Sequence, residues 1–333
     1  MTAIVSAPQP LPLPKPASPP GQGFGRRFGR AAAMRATRVL LLLALWPALG
    51  GCAWLDMKER QLALRPTPGR PANVPPDEQL FRAGDVRTTV LVPAAGGQGS
   101  SGSQDKLALW WLPHADPNAP TLLYLHGTFR NLYSNMPKID ALRAAGFSVL
   151  AVDYRGWGDS TPIIPSEDTI TADAARAFAE LQSREPRSSR RVIYGHSMGG
   201  AVAVRLASTL HGGGAQRDYG AVVLESTFTR IIDVAGEAGF LGRVLSIFST
   251  LDFDSQARAQ RIDGPVWMLH GEADTTVPVA LGRRLRDAVP PAALVRWVEI
   301  PGGTHSGLHR EATTLYQSTF ADLIKSLPTA TTP

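Results

Sequence analysis

A five-residue segment at positions 195–199, with the sequence GHSMG, constrains the fold of this chain more than any other feature. A strand-like apolar run, Arg191–Tyr194, precedes it, and a helix-like run, Ala201–Ala207, follows it. The chain must therefore turn from strand to helix within a few residues, which holds Ser197 in a strained backbone conformation and requires small neighbours. Such a turn keeps the serine hydroxyl clear of the sheet, beside a helix N-terminus that favours negative charge.

Short apolar strands alternate with helical patterns along much of the chain, which predicts a parallel sheet with helices on both faces. Strands are predicted at Val86–Val92, Leu107–Leu112, Thr121–His126, Phe147–Val152, Arg191–Tyr194, Ala221–Leu224, Val266–Leu269 and Val295–Ile300. Helices are predicted at Asn135–Ala145, Glu167–Arg184, from the turn at Ser197 to about Leu210, Pro278–Ala288 and His309–Leu327. The predicted fold class is α/β, with a mostly parallel eight-stranded sheet.

The histidines downstream of the serine provide candidates for a general base. A serine hydroxyl becomes a nucleophile when a histidine takes its proton and a carboxylate orients that histidine. Four histidines follow Ser197, and His305 lies in a glycine-rich loop after the last predicted strand, where it can reach the strand ends. We therefore predict His305 as the base. His211 is expected to be solvated and His270 to be structural, while His309 remains a weaker alternative.

The predicted acid is Asp274, which follows a buried strand and precedes Pro278, a residue suited to the first turn of the next helix. Glu272, its near neighbour, and Glu225, at the end of the preceding strand, remain alternatives. These residues require no metal ion, and we expect neither a metal site nor a cofactor.

Acyl transfer at a serine also requires two backbone N–H groups that stabilise the oxyanion. Met198, the residue after the serine, is predicted to supply the first. The second is expected from Thr128, because the loop His126-Gly127-Thr128 follows the third strand and its glycine permits a tight turn. His126 is expected to brace its loop, and His196 is expected to be a packing residue rather than a second base.

These motifs together resemble one branch of the α/β-hydrolase superfamily, whose serine lies on a turn called the nucleophile elbow. The branch consists of single-domain serine hydrolases with a short cap, including protein depalmitoylases and monoacyl-lipid lipases. The resemblance covers residues 107–325 and rests on His126-Gly127, residues 153–160 (DYRGWGDS), residues 195–200, residues 225–229 (ESTFT), residues 270–278 and Gly303-Thr304-His305.

The resemblance implies that Ser197, Asp274 and His305 form a catalytic triad and that the reaction is hydrolysis of a carboxylic ester or thioester. Two local departures, at residues 128–130 and 306–307, affect the surroundings of the pocket and remove no catalytic group. Peptide or amide cleavage by the same triad is the alternative enzymatic hypothesis. A non-catalytic envelope binding protein is the alternative outside enzymes. The oligomeric state is left open.

An apolar insert at about residues 228–261 separates two predicted strands. It is interpreted either as a small lid that receives an acyl chain or as an ordinary crossover packed on the sheet. The sequence favours neither interpretation.

The net charge of +6 does not indicate a nucleic-acid partner, because the basic excess is confined to the N-terminus. Residues 1–51 contain six basic and no acidic side chains, which leaves 28 of each charge in the remainder. Within this leader, a basic start at Met34–Arg38 and the apolar run Val39–Leu49 are typical of a secretory signal peptide. The apolar run is too short to span a membrane.

The sequence Leu49-Gly50-Gly51-Cys52 resembles a bacterial lipobox, in which the cysteine is lipidated and becomes the mature N-terminus. The expected location is the periplasmic face of the outer membrane, since Ala53 replaces the aspartate of an inner-membrane retention signal. An ordinary cleaved signal peptide is the alternative. Translation from Met34 would explain the Pro-rich residues 1–33. Residues 52–84 are predicted to be the lipidated N-terminus and a tether, and residues 85–328 the catalytic domain.

Overall fold

The computed structural model describes residues 53–95, 103–214, 216–237, 249 and 251–328. Leu55–Pro333 form one compact unit. The predictions for the leader, including Met34 and Cys52, lie outside the described residues.

Eight strands form one sheet, in the order β1-β2-β4-β3-β5-β6-β7-β8. The strands are β1 (Val86–Pro93), β2 (Gln104–Leu112), β3 (Thr121–Leu125), β4 (Ser148–Asp153), β5 (Arg191–His196), β6 (Ala221–Glu225), β7 (Val266–Gly271) and β8 (Leu294–Ile300). β2 pairs antiparallel with both β1 and β4, whereas the other five pairs are parallel. The predicted mostly parallel eight-stranded sheet is confirmed.

Helices cover both faces of the sheet. Among the described residues they are α1 (53–64), α2 (Asp77–Leu80), α3 (Leu132–Ala144), α4 (Glu167–Arg184), α5 (Met198–Ala207), α6 (Ile231–Glu237), α7 (Ser255–Ala259), α8 (Val279–Ala288), α9 (Leu308–Glu311) and α10 (Thr313–Ser326). Side chains fix two of the starts: the Asn131 carboxamide oxygen accepts from Ser134 N–H at α3, and Ser166 and Thr169 form a reciprocal capping box at α4.

The core consists of two apolar layers, one on each face of the sheet. Successive residues of β3 alternate between them, with Leu123 and Leu125 in one layer and Leu122 and Tyr124 in the other. This follows from the two-residue period of a strand. Because both faces are covered, the central strands are buried at every position and consist largely of apolar residues.

The predicted tether differs from the structure at the end of α1 and in the residues that follow it. Leu64 is fully buried in the core, and the Asn131 carboxamide donates to the carbonyl oxygens of Thr67 (3.1 Å) and Gly69 (2.8 Å). A leucine side chain gains roughly 2 kcal/mol on complete burial, which favours docking over an extended chain. This part of residues 53–84 therefore packs on the domain.

The predicted final helix also differs, because it is divided into α9 and α10. Ala312, between them, has φ −135° and ψ 49°, outside the helical region. Glu311, the last residue of α9, accepts hydrogen bonds from the N–H and hydroxyl of Thr304 beside His305, whereas Tyr316 and Phe320 of α10 are buried in the core.

The insert at 228–261 is described only in part. Ile231 and Val234 of α6 pack against the core, and Leu251 and Phe253 are buried in it. The apolar residues at 240–248 lie outside the described residues, so the lid interpretation stays a prediction. Within the described ranges, no helix is long and apolar enough to cross a membrane.

Candidate active site

Ser197 occupies the turn between β5 and α5 with φ 55° and ψ −123°. This left-handed conformation is costly for a residue with a side chain. The flanking glycines are required by space, since a Cβ on Gly195 would collide with the carbonyl of Gly199. A Cβ on Gly199 would collide with the backbone carbonyl of Leu125. The turn therefore has the strained geometry that the GHSMG segment predicts.

The structure brings the three predicted catalytic side chains together. His305 Nε2 lies 3.0 Å from Ser197 Oγ, and His305 Nδ1 lies 2.8 Å from Asp274 Oδ2. The His305 side chain is 17% exposed, whereas that of Asp274 is 0% exposed. An incoming molecule can therefore reach the imidazole, while the carboxylate is shielded from water.

The environment of Asp274 keeps its carboxylate ionised. Burial alone would raise its pKa, but the neighbouring imidazoles of His270 and His305 and the hydrogen bond from the Val277 N–H lower the pKa well below its ordinary value of 3.8. Its Oδ1 accepts from the N–H groups of Thr276 (2.9 Å) and Val277 (2.8 Å). An ionised Asp274 accepts the Nδ1 proton of His305, which leaves Nε2 free to accept the proton of Ser197.

The other histidines occupy different environments. His270 donates through Nε2 to the carbonyl of Val277 (2.8 Å), with Asp274 Oδ2 at 3.4 Å. The imidazole of His211 is exposed. His309 is buried beside α10, where burial lowers its pKa to about 4. None of these three takes the position of His305 beside the serine.

The two alternative acids also lie elsewhere. Glu272 is exposed, whereas Glu225 is fully buried and paired with Lys138. The carboxylate that contacts His305 is that of Asp274.

The loop after β3 lies directly against the serine. A Cβ built on Gly127 would be 3.0 Å from Ser197 Cβ, so only glycine fits there without displacement. Thr128 follows Gly127 at this edge, and Phe129 has φ 71°, which sharpens the turn. Met198 is the first residue of α5, so its N–H lacks an intrahelical acceptor. Both predicted oxyanion donors therefore belong to segments that border Ser197.

Two histidines brace these loops. His126 is fully buried, donates from Nδ1 to the carbonyl of Gly127 (2.6 Å) and lies 3.5 Å from Asp153. Burial lowers its pKa to about 4 and raises that of Asp153 to about 8. His196 donates from Nε2 to the carbonyl of His305 (2.9 Å), which connects the serine turn to the histidine loop.

Sequence reasoning missed the role of Asp153. Its Oδ1 accepts the N–H of Leu132 (2.9 Å) at the start of α3, so it holds the helix that follows the Thr128 loop. The signal was an acidic residue directly after an apolar strand, within the DYRGWGDS motif. Among the residues that the structure describes, no group of three or more His, Cys, Asp or Glu side chains could hold a metal ion.

The sheet order, the serine on the β5–α5 turn, the acid after β7 and the histidine after β8 define the α/β-hydrolase class. A family model described as serine aminopeptidase, S33, matches residues 116–252.

Similarity to known proteins extends over most of the domain. An uncharacterized protein of Mycobacterium tuberculosis is 31% identical over 274 residues, covering 82% of this chain and 89% of that protein. The lysophosphatidylserine lipase ABHD12 of zebrafish (Danio rerio) is 35% identical over 200 residues, 56% of this chain and 51% of the lipase. The chain thus spans about half the length of that lipase.

An esterase of Pyrococcus furiosus superposes with a TM-score of 0.58 at 19% identity, covering 78% of this chain and 99% of the esterase. At this identity the superposition supports the fold alone. Together with the family match and the mycobacterial relative, it shows that this chain belongs to the α/β-hydrolase superfamily of enzymes.

Proposed function

We propose that this protein is a serine hydrolase that cleaves carboxylic esters or thioesters through an acyl intermediate on Ser197. The observation that carries the proposal is the continuous relay from Ser197 Oγ through His305 to Asp274, with contacts of 3.0 and 2.8 Å. Distances of this size permit proton transfer between serine and imidazole. The strained elbow presents the serine at a helix N-terminus, where developing negative charge is stabilised.

In the first half-reaction, His305 Nε2 takes the proton from Ser197 as Oγ attacks the substrate carbonyl carbon. The oxyanion accepts hydrogen bonds from the N–H groups of Met198 and Thr128. His305 then donates its proton to the departing alkoxide or thiolate. Water, activated by the same imidazole, releases the acid and restores Ser197. Asp274 holds the imidazole in the required tautomer and stabilises its charged form.

A monoacyl lipid ester is the proposed substrate class. Support comes from the zebrafish relative, which is named a lysophosphatidylserine lipase. Ile231 and Val234 of the 228–261 insert are only partly buried against the core, so they leave apolar surface of the kind that acyl chains contact.

A substrate panel tests this function. We expect the purified chain to hydrolyse p-nitrophenyl esters, and to release fatty acid from lysophosphatidylserine or another lysophospholipid. The matched p-nitroanilides should react far more slowly, since the amide leaving group is poorer. Equal or faster cleavage of an aminoacyl p-nitroanilide would contradict the ester proposal. That outcome would support the aminopeptidase alternative, which the description of the matching family favours.

We further propose that lipidation of Cys52 anchors the protein at the periplasmic face of a bacterial outer membrane. Support comes from the lipobox-like Leu49–Cys52 behind a basic and apolar leader. Two or three acyl chains give stable anchoring, whereas one alone binds weakly.

Metabolic labelling with an alkyne fatty acid in a bacterial host tests the anchor. The full chain should be labelled and should sediment with membranes, whereas Cys52→Ser should be unlabelled. As a control, Met57→Ser changes a residue beyond the processing site and should leave labelling unchanged. An unlabelled full chain would favour an ordinary cleaved signal peptide.

A further inference from the structure

A buried ion pair lies at the C-terminal end of β6, close to the serine. Lys138 Nζ contacts Glu225 Oε1, and their side chains are 4% and 0% exposed. The second oxygen, Oε2, accepts hydrogen bonds from the hydroxyls of Tyr194 (2.6 Å) and Tyr316 (3.0 Å). The proposed reaction uses none of these four groups.

The four residues belong to separate segments that each adjoin a part of the active site. Lys138 lies in α3, which follows the Thr128 loop. Tyr194 lies in β5, and Tyr316 lies in α10, after the His305 loop. Glu225 ends β6, and its carbonyl accepts the N–H of Ser197 at 2.9 Å. Glu225 therefore contacts Ser197 through its backbone carbonyl, and it contacts α3, β5 and α10 through its carboxylate.

The same charges act on the histidines that surround them. Burial lowers the pKa of His196 and of His309, and the positive charge of Lys138 lowers both further. His196 in turn donates to the His305 carbonyl. The ion pair therefore lies close enough to the Ser197 turn and to α9 for its charge to act on a histidine in each.

Stability alone does not explain this arrangement. Removing two charges from water costs several kcal/mol per ion, and apolar residues of similar volume often stabilise a core equally well or better. A fully satisfied buried network instead favours one arrangement of the segments that it connects, since any displacement leaves a polar group unpaired.

We propose that Lys138 and Glu225 are positioning residues for hydrolysis. The pair fixes α3, and with it the Thr128 loop, relative to the Ser197 turn. It thereby sets the distance between the two oxyanion donors and the reacting carbonyl. This inference rests on the proposed function for its kinetic effect, whereas its structural effect can be measured independently.

The test variant is Lys138→Met/Glu225→Gln, because it removes both charges together and leaves an amide oxygen for the two tyrosine hydroxyls. Single variants would leave an unpaired buried charge and are at risk of misfolding. The matched control is Asp85→Asn/Arg143→Met. Arg143 lies on the same helix and pairs with Asp85, with side chains 5% and 0% exposed.

For p-nitrophenyl butyrate, we expect the test variant to lower kcat by about 10- to 100-fold with KM within about twofold of the original value. This decrease in kcat is smaller than the decrease caused by complete loss of an oxyanion donor, and it is similar to that caused by a small misplacement of catalytic groups. The control should change both constants by less than about twofold, since its pair does not adjoin the catalytic loops.

Hydrogen exchange gives the second readout. The N–H groups of Leu132 and Asn135, bonded in the first turn of α3, should exchange faster in the test variant and not in the control. Unchanged kcat and exchange would overturn the inference, as would equal losses in both double variants. If the original protein fails to cleave the ester, the proposed function fails, and the exchange comparison alone then decides the inference.

Discussion

Replacement of Ser197 by alanine is expected to reduce kcat for p-nitrophenyl butyrate by about a million-fold, as when the nucleophile of a serine triad is removed. The variant keeps His305, Asp274 and the oxyanion donors but has no oxygen that can form the acyl intermediate. Stability should fall little, because Ser197 Oγ contributes one hydrogen bond, to His305. Steady-state kinetics measures the loss of kcat, and a fluorophosphonate probe measures the accompanying loss of covalent labelling at position 197.

Ser226→Ala is the matched control. Ser226 is also buried with a positive φ, 50°, and its hydroxyl has no hydrogen-bond partner among the described residues. It should retain nearly full activity and labelling. An alanine variant at position 197 that kept more than about one-thousandth of the activity would contradict the acyl-enzyme mechanism. An original protein that resisted the probe would favour the non-catalytic binding protein.

The three side chains that the structure brings together at the candidate site could be predicted because each is marked by its immediate sequence neighbours. Gly195 and Gly199 reflect close backbone contacts at the turn itself. Asp274 lies in the short loop between β7 and α8, and His305 follows β8 in a glycine-containing loop. The carboxyl ends of parallel strands meet at one edge of the sheet, so strand order was sufficient to bring these side chains together.

The Lys138–Glu225 pair could not be predicted in the same way, because its partners are 87 residues apart. A lysine in a helical pattern usually faces solvent. Its burial here depends on how α3 and α10 pack around β6. The sequence makes Glu225 an alternative acid because it ends a predicted strand. The end of a strand correctly indicates a buried carboxylate near the serine, but the local sequence does not identify Lys138 as the partner of that carboxylate.

Leu64 and Ala312 illustrate a second limit. Leu64 follows Leu62 and Ala63 and precedes Arg65 and Pro66, in a segment without sustained apolar periodicity, although it fills a place in the core. Ala312 has high helix propensity, yet it interrupts the final helix. In both cases tertiary packing decides a local conformation that intrinsic preference does not indicate.

Replacement of Asp274 by asparagine is expected to lower kcat by about 10,000-fold, with KM little changed. In the original protein, the Asp274 carboxylate accepts the Nδ1 proton of His305 at 2.8 Å. An amide can instead donate to Nδ1, which favours the tautomer that has its proton on Nε2. That nitrogen then faces Ser197 Oγ as a donor and cannot take its proton. The steric shape of the site is preserved, so the effect reports proton position rather than packing.

Glu272→Gln provides the control for Asp274→Asn, because it makes the same chemical change on the same loop at an exposed position. It should leave kcat within about twofold of the original value, as expected for a surface substitution. Nuclear magnetic resonance of the His305 ring would show the Nδ1 proton bound to a carboxylate in the control and its loss in the asparagine variant. If Asp274→Asn and Glu272→Gln have similar kcat values, then Asp274 does not orient the base, and the relay would reduce to a serine–histidine pair.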